Sequence, residues 1–251
     1  MADRIEMLAK AKERNWFYRF PLPDGTVTKT HLSDAVEKIH TARRDALVNI
    51  IKSRVPNARA ETALDLASHE GYFSVELAKH FKTVQGLEYR QESIDGARLI
   101  CDLLNVENVS FEQTDLRYRR FDPKDAADFV LLFGLMYHLE DPIHVLRLAC
   151  KLARKHIFIE TQVFPFDFKG RIEQGGYQWQ REVEGVFSLT VDSPQLASGG
   201  ATTFCLTPSL GALTFLLKKF GFGEIDVLKH DKDDYEQFVR GHRVLIFAAR
   251  S

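Results

Sequence analysis

The feature that most constrains the fold is a run in which an apolar strand, a tight turn and the start of a helix follow one another. Residues 62–66 are largely apolar, a turn of mostly small residues follows, and Gly71 precedes a helical pattern over 72–80. A second apolar strand at 83–88 ends in Glu88. A strand, a turn, a helix and a strand that ends in an acidic residue form the layout of a nucleoside-binding βαβ unit, in which the carboxylate binds ribose hydroxyls.

The turn of this unit has fewer glycines than a dinucleotide-binding turn, because Gly71 is its single glycine. A pyrophosphate binds to bare backbone N–H groups at the N-terminus of a helix, and glycines let it approach them. A ligand without phosphates has no such requirement. The turn therefore favours S-adenosylmethionine (SAM) over NAD, and it disfavours an NAD-dependent oxidoreductase.

The composition limits the class of protein. The 251 residues are 45% hydrophobic and 27% charged with a net charge of −1, which is typical of a globular protein without an overall field for nucleic acid. Cys101, Cys150 and Cys205 are far apart, which predicts reduced, buried thiols rather than disulfides or a zinc site. With no secretory pattern and no bilayer-spanning stretch, we expect a cytoplasmic protein without membrane contact. The sequence makes no prediction of oligomeric state.

The chain beyond the first βαβ unit continues to alternate between strand and helix patterns. Further strands are predicted near 108–112, 127–133, 155–160, 223–229 and 243–249, with helices near 91–104, 141–153 and 208–219. This alternation predicts an α/β fold with a Rossmann-like, doubly wound, mostly parallel sheet of seven strands. Only about 14 residues separate the last two strands, too few for a crossover helix, so we expect the last strand to be antiparallel.

Two segments fall outside this alternation. Residues 1–60 predict a lead-in with a helix over 2–14, a hairpin turn at Asp24-Gly25 and a long helix that ends before Pro56. We predict that residues 61–251 form the ligand-binding domain.

Residues 163–206 interrupt that domain after its fifth strand. They contain two Gly-Gly pairs, several aromatic residues and short strand-like pieces. An excursion of this length after the carboxyl end of a strand is typical of a substrate cover. We therefore predict an insertion that covers the acceptor.

The carboxyl ends of the predicted strands bring candidate binding residues to the edge where ligands of open α/β sheets bind. Glu88 is predicted to accept hydrogen bonds from both ribose hydroxyls, and Asp115, after the third strand, to accept one from the adenine amine. Asp65 is expected to organise backbone N–H groups near the amino-acid end of SAM. The structural alternatives are a solvated Glu88 at a strand end and an Asp115 that caps a turn.

Four motifs follow one another along residues 60–160: the turn 64–74, Gly86-Leu87-Glu88, Thr114-Asp115-Leu116 and the run 133–142, which reads Phe-Gly-Leu-Met-Tyr-His-Leu-Glu-Asp-Pro. In this order they resemble the motifs of class I SAM-dependent methyltransferases. The Tyr-His-Leu-x-Asp-Pro part is similar to a subgroup that includes tRNA wobble-uridine carboxymethyltransferases and many small-molecule methyltransferases. The resemblance implies SAM as cofactor and S-adenosyl-L-homocysteine (SAH) as product.

The resemblance also implies a set of cofactor-binding residues, which are Asp65, Ala67, Ser68, His69, Gly71, Phe73, Glu88, Tyr89, Asp115, Leu116, Phe133 and Gly134. The turn of the family usually has glycines at the positions of Ala67 and His69. Ala67 is small enough to let the ligand approach. His69 occupies a position that often needs a positive φ, and His is among the non-glycine residues enriched there. Its side chain alternatively reaches the SAM carboxylate or the substrate, or satisfies a local hydrogen bond.

The residues after the fourth strand are candidates for catalysis. A histidine has an ordinary pKa of about 6.5, which suits His138 as the general base that takes the proton of the methyl acceptor. The alternative is a structural hydrogen bond that fixes the loop before Asp141 and Pro142, which are predicted as an N-cap and the first helical residue. Although His144 and Glu160 lie nearby, we expect no catalytic metal, because Asp141 is better explained as a cap.

Five residues are candidates for substrate binding: Trp16, Tyr18, Tyr137, Glu160 and Arg181. Trp16 and Tyr18 are expected to stack on the cofactor, or alternatively to be core aromatics that anchor the lead-in. Glu160 is expected to orient the acceptor or to pair with an arginine of the insertion, such as Arg171 or Arg181.

The favoured function is methyl transfer from SAM to an oxygen or nitrogen of a small-molecule acceptor. Aromatic residues of the insertion fit a largely apolar acceptor pocket, namely Phe164, Phe166, Phe168, Tyr177, Trp179 and Phe187. A tRNA-modifying methyl- or carboxymethyltransferase is the alternative, with residues 117–120 (Arg-Tyr-Arg-Arg) as the candidate phosphate contact, but nucleic acid is not favoured. A non-catalytic binding protein that keeps the fold is the second alternative.

Overall fold

The computed structural model describes residues 2–173, 180–191 and 204–250. The chain divides into two compact units, Met1–Leu131 and Leu132–Ser251. The elements that begin in the first unit are α1 (Ala2–Glu13), β1 (Asn15–Trp16), β2 (Lys29–Thr30), α2 (Asp34–Arg54), β3 (Thr62–Leu66), α3 (Tyr72–Ala78), β4 (Thr83–Glu88), α4 (Gln91–Leu104), β5 (Val109–Gln113) and β6 (Ala127–Phe133). Those of the second unit are α5 (Pro142–Leu152), β7 (Ala153–Gln162), β8 (Gly170–Glu173), β9 (Gln180–Val183), β10 (Phe187–Val191), β11 (Phe204–Pro208), α6 (Leu210–Lys219), β12 (Glu224–Val227), α7 (Glu236–Val239) and β13 (Arg243–Ala249).

Seven of these strands form one mixed sheet in the order β12-β13-β7-β6-β3-β4-β5. Strands β3, β4 and β5 pair in parallel, whereas β13 is antiparallel to both β7 and β12. The predicted Rossmann-like fold and its antiparallel last strand are therefore confirmed. The connection between β12 and β13 contains only the short helix α7, which is too short to cross over the sheet.

The long helix of the lead-in buries one face. Its buried residues are Ile39, His40, Arg43, Leu47, Ile50 and Ile51. The apolar members of this set recur at helical spacing, as the sequence predicts, but a histidine and an arginine share the buried face with them. Buried polar side chains of this kind require partners, so the helix contributes polar contacts as well as apolar ones to the interior.

The turn at residues 24–25 forms, but the hairpin around it is limited to a single antiparallel bridge between Pro21 and Val27. Two backbone bonds flank this bridge, from the N–H of Leu22 to the oxygen of Thr26 at 2.8 Å and from that of Thr28 to the oxygen of Phe20 at 3.0 Å. The ladder ends there, because the N–H of Phe20 donates to Oγ1 of Thr28 rather than to its carbonyl oxygen. The neighbouring strands β1 and β2 instead pair in parallel with each other.

Close packing explains two glycines of the first βαβ unit. A Cβ atom on Gly86 would lie 2.6 Å from the ring of Phe111 and 2.8 Å from Oγ of Ser68. A Cβ atom on Gly71, which has a φ of +76°, would lie 2.8 Å from the same ring. Both positions therefore exclude a side chain, because Phe111 on β5 fills the space above them.

The insertion forms two small antiparallel pairs, β8 with β9 and β10 with β11. Phe166 and Phe168 are exposed, so these two residues do not form the predicted apolar wall. Tyr177, Trp179 and the two Gly-Gly pairs lie outside the described residues.

Two further predictions concern the whole chain. The three cysteines are free thiols with buried side chains, as predicted. Among the residues that the structure describes, no helix combines the length and apolar character needed to cross a bilayer.

Candidate functional site

The turn after β3 has left-handed backbone at three positions. Ala67, His69 and Gly71 have φ values of 58°, 51° and 76°. Ala67 and His69 thus adopt the conformation for which glycine is usual, and the positive φ predicted for His69 is confirmed. The N–H of Ser68 donates to the oxygen of Leu87 at 3.0 Å, which holds the turn against β4, and the N–H of Gly71 donates to the oxygen of Ser68 at 2.8 Å, which closes the turn itself.

The side chain of His69 lies in an aromatic cluster. Its ring centroid is 4.9 Å from that of Phe17 and 5.5 Å from that of Tyr18. Burial, followed by the positive charge of Arg90, lowers the pKa of His69 to about 3. The imidazole is therefore neutral, and it cannot act as a cation toward the carboxylate of an amino acid.

Asp65 binds the first turn of α3. It is buried, and its Oδ2 accepts a hydrogen bond from Oγ of Ser74 at 2.6 Å, while the backbone N–H of Ser74 also donates to it. Burial raises the pKa of Asp65 to about 7 despite these bonds, and the negative charge of Glu88 raises it further. The backbone N–H group that Asp65 organises is therefore that of Ser74 in α3.

Glu88 is buried at the end of β4 and is oriented by two backbone N–H groups. The N–H of His69 donates to Oε2 and that of Arg90 to Oε1, both at 2.9 Å. Nε of Arg90 also donates to Oε1, at 3.2 Å. These bonds hold an ionised carboxylate in a fixed orientation, which rules out the alternative of a merely solvated Glu88.

Asp115 follows β5 and accepts three bonds from Arg117. The backbone N–H and Nε donate to Oδ1 at 3.0 Å, and Nη2 donates to Oδ2 at 2.7 Å. Hydrogen bonds from the Arg117 side chain keep the pKa of Asp115 below its ordinary value. The Arg117 guanidinium lies 5.9 Å from the ring centroid of Tyr89 and 5.2 Å from that of Tyr118. Asp115 therefore caps its own turn and also presents a carboxylate at the strand end.

The lead-in is attached to the turn through Glu70. Its Oε2 accepts hydrogen bonds from the backbone N–H groups of Phe17 at 2.9 Å and Tyr18 at 3.3 Å. The ring of Tyr18 stacks on that of Tyr72 with a centroid distance of 4.7 Å and an interplanar angle of 7°. The segment around residues 17–18 is thus fixed beside the turn that was predicted to bind the cofactor.

Trp16 has the structural role that the sequence offered as the alternative. Its side chain is fully buried, and its Nε1 donates to the oxygen of Ala11 at 2.7 Å. The guanidinium of Arg14 covers the ring at 4.6 Å. Trp16 anchors the lead-in, and we no longer assign it to substrate binding. Phe73, Leu116 and Phe133 are likewise buried side chains of the core.

The second unit contains the residues after β6. Gly134 has a φ of 69°, and its N–H donates to the oxygen of Glu160 at 3.1 Å. His138 closes a short 3-10 turn, in which its N–H donates to the oxygen of Leu135 at 2.9 Å. Asp141 accepts from the N–H of His144 at 2.9 Å, which confirms it as the N-cap of α5.

Glu160 pairs with an arginine that the sequence did not single out. Nη1 of Arg243 lies 2.8 Å from Oε1 of Glu160, and both side chains are buried. The same guanidinium lies 4.6 Å from the ring centroid of Tyr137. Arg171, one of the two arginines expected for Glu160, forms its ion pair with Glu182 instead. Arg181 lies on β9 with an exposed side chain.

Sequence reasoning missed Arg90 and Arg243, and it considered Arg117 only as a phosphate contact and not as the partner of Asp115. A signal for Arg90 and Arg117 was present, since each follows a strand-end acid by two residues, in Glu-Tyr-Arg and Asp-Leu-Arg. Arg243 had no local signal, because it is far from Glu160 in sequence. Within the described residues, the structure contains no group of three His, Cys, Asp or Glu side chains suited to a metal ion.

Comparisons with known proteins identify the family and the fold. A family model described as a methyltransferase domain matches residues 57–187, just over half of the chain. No curated protein shows significant sequence similarity to the chain.

Solved structures share the fold at low identity. The N-terminal domain of EvdMO1, crystallised with SAH and D-fucose, is 22% identical with a TM-score of 0.71, over 100% of this chain and 98% of that domain chain. The longer EvdMO1 chain is 21% identical with a TM-score of 0.62, over 98% of this chain and 48% of its own length. Magnesium protoporphyrin IX methyltransferase from Synechocystis PCC 6803, with bound SAM, is 12% identical with a TM-score of 0.58, over 88% of this chain and 86% of that chain.

The structural likeness establishes the fold, and the match of the family model establishes the family. The strand-end acids and the left-handed turn lie within the matched residues. The chain belongs to the methyltransferase-domain family.

Proposed function

We propose that this protein is a SAM-dependent methyltransferase that methylates an oxygen or nitrogen of a small-molecule acceptor. The observation that carries the proposal is the buried carboxylate of Glu88 at the end of β4, oriented by the backbone N–H groups of His69 and Arg90. A fixed, ionised carboxylate with two oxygens matches the cis-diol of a ribose.

The residues of the first unit fit SAM as a ligand. Glu88 would bind the ribose hydroxyls and Asp115 the adenine amine, beside the ring of Tyr89, which is 57% exposed. Ala67 and His69 leave the turn less open than glycines would, and SAM has no phosphate groups that would require glycines there. SAM, when bound, supplies an electrophilic methyl group whose transfer releases SAH.

The proposed contribution of the protein is positioning and removal of a proton. Alignment of a nucleophile with a methyl carbon and exclusion of water lower the barrier of an in-line displacement. His138 is the proposed base for the proton of the acceptor hydroxyl or amine. Tyr137 and Arg181 remain proposed as residues on the acceptor side. The side chains of Tyr18 and Glu160 are buried, as that of Trp16 is, so we do not propose that they contact the acceptor directly.

Two observations support a small-molecule acceptor. The EvdMO1 domain was crystallised with D-fucose, and a second neighbour is named for a porphyrin substrate. In the candidate phosphate-binding segment 117–120, Arg117 pairs with Asp115, and Arg119 contacts Glu112. These carboxylates offset the positive charge that RNA would require.

Calorimetric titration with SAH tests the cofactor. We expect Glu88→Gln to weaken SAH binding by at least about tenfold, because charge-assisted hydrogen bonds to the ribose are lost. Glu92→Gln, a change of an exposed acid in the first turn of α4, is the matched control and should bind as the wild type does. Absence of SAH binding to the wild type at millimolar ligand would exclude the proposed function, and unchanged binding to Glu88→Gln would exclude Glu88 as the ribose ligand.

Mutation of His138 tests the base. We expect His138→Ala to lower the rate of methyl transfer by about 10²-fold or more, as measured with labelled SAM and a panel of hydroxyl and amine compounds. His144→Ala, which changes an exposed histidine of α5, should retain the wild-type rate. Near wild-type turnover of His138→Ala would show that His138 is not the base.

A further inference from the structure

Two strand ends in the first unit have the same arrangement of an acid and an arginine. After β4, the backbone N–H and Nε of Arg90 donate to one oxygen of Glu88, at 2.9 and 3.2 Å. After β5, the backbone N–H and Nε of Arg117 donate to one oxygen of Asp115, both at 3.0 Å. Each arginine therefore uses acceptor capacity of a carboxylate that is proposed to bind the cofactor.

With three donors already bound, Glu88 has too little unused acceptor capacity for both hydroxyls of a ribose diol. An ionised carboxylate has about four lone-pair sites. Arg90 uses both sites of Oε1, and the N–H of His69 uses one site of Oε2. One site remains, whereas a cis-diol brings two hydroxyl donors, so the second hydroxyl must replace a donor that is already present.

The donor that can leave is the Nε group of Arg90. The two backbone N–H groups are part of the turn after β3 and of the strand end, so they cannot leave without a change of fold. The Arg90 side chain is 38% exposed, which allows it to turn into water. Its bond to Glu88 is also the longest of the three, at 3.2 Å.

Asp115 does not have this shortage. Arg117 uses both sites of Oδ1 and, through Nη2, one site of Oδ2. The remaining site of Oδ2 matches the single hydrogen bond that an adenine amine would donate to it. Arg117 can therefore stay paired with Asp115 when adenine binds, and the two similar arrangements differ in their effect on the ligand.

We propose that Arg90 competes with one ribose hydroxyl of SAM for Glu88. Arg90 thereby sets the affinity for the cofactor and the contribution of that hydroxyl to the binding free energy. This inference rests on the proposed function. The second hydroxyl contributes little to binding by the wild type, because its bond to Glu88 replaces an existing charge-assisted bond.

The test is calorimetric titration with SAH and with its 2′-deoxy and 3′-deoxy analogues. We expect Arg90→Ala to bind SAH about tenfold tighter than the wild type, since the competing charge-assisted bond is worth roughly one factor of ten. The loss of affinity on removal of one of the two hydroxyls should also rise by about tenfold in Arg90→Ala. Arg90→Gln removes the charge while keeping a long side chain, so it replaces Arg90→Ala as the test variant if Arg90→Ala does not fold.

Arg117→Ala is the matched control, because it removes an arginine whose Nε makes the corresponding bond at the neighbouring strand end. Its ratio of SAH affinity to deoxy-analogue affinity should equal that of the wild type. Weaker or unchanged SAH binding by a folded Arg90 variant would overturn the proposal, and so would an equal rise of the ratio in Arg117→Ala. If the wild type itself binds no SAH, the proposed function fails, and the inference fails with it.

Discussion

Asp65 and Glu88 lie near the ends of adjacent parallel strands, yet different kinds of donor bind their carboxyl groups. Glu88 accepts bonds from two backbone N–H groups and a guanidinium, which fix the orientation of its side chain. Asp65 accepts bonds from Ser74, but its burial outweighs them and raises its pKa to about 7. At the scale of single residues, the two acids at one sheet edge therefore differ in the donors that bind them, and burial dominates the pKa of Asp65.

The raised pKa of Asp65 predicts a specific dependence of stability on pH. An unfolded aspartate has a pKa of about 3.9, so between about pH 4 and 7 the folded protein holds a proton that the unfolded chain has lost. The contribution of Asp65 to the free energy of unfolding should fall as the pH rises through this window, by up to about 4 kcal/mol, and then stay constant.

Urea unfolding at pH 5 and pH 8 measures this contribution when the wild type is compared with Asp65→Asn. The variant keeps an acceptor for the Ser74 hydroxyl but does not titrate. We expect the wild type to lose stability relative to the variant between these pH values. An identical pH dependence of the two proteins would contradict a raised pKa at this position.

At the scale of elements, Glu70 connects the lead-in to the turn after β3. Replacement of Glu70 by alanine removes the acceptor of the Phe17 and Tyr18 N–H groups, so the part of the lead-in around these two residues should open more often. We expect hydrogen exchange at these two amides to accelerate by about tenfold, measured by NMR or mass spectrometry.

Glu70→Gln is the control for this prediction, because it keeps an acceptor oxygen without the charge. Its exchange rates should lie between those of the wild type and of Glu70→Ala. If all three proteins exchange these amides at the same rate, other contacts hold the lead-in, and Glu70 does not.

The elements were predictable from sequence where their pattern is local. Strands such as 83–88 and 243–249 have the predicted bounds, because continuous apolar runs end at turn residues or charges. The turn of the lead-in hairpin was predictable from Asp24-Gly25, whereas the end of its ladder depends on a side chain, because the N–H of Phe20 donates to Oγ1 of Thr28. The exposure of Phe166 and Phe168 depends on how the insertion packs, and composition does not specify that.

The candidate site was predictable to a similar degree. The strand-end acids and the left-handed backbone of the turn could be predicted, because the motifs that contain them follow one another in the order typical of the family that they resemble. The bonds of those acids do not, because they depend on side-chain positions such as that of Arg90. The pair between Glu160 and Arg243 joins residues far apart in sequence, so no spacing indicated it, whereas a buried Trp16 was among the alternatives that the sequence offered.

At the scale of the whole molecule, the charge distribution predicts an absence of strong binding to RNA. The net charge is −1, and two of the arginines in 117–120 contact carboxylates. We expect fluorescence anisotropy with labelled tRNA to detect no binding up to about 100 μM protein at physiological salt.

The salt dependence separates this expectation from the tRNA-modifying alternative. Binding in low salt that weakens steeply between about 50 and 200 mM salt would indicate several phosphate contacts and would favour that alternative. The same measurement on Arg120→Ala would then show whether the segment 117–120 makes one of those contacts.

The position of β13 between β7 and β12 has a consequence for biosynthesis. About 80 residues separate β7 from β13, so at roughly 5–20 residues per second a ribosome needs on the order of 4–16 seconds to add them. Until then, the edge of β7 that later pairs with β13 stays open, although its residues Ile157, Phe158 and Ile159 become fully buried in the finished protein. An open apolar edge is a site of wrong pairing between chains, so the nascent protein is exposed to aggregation during this interval.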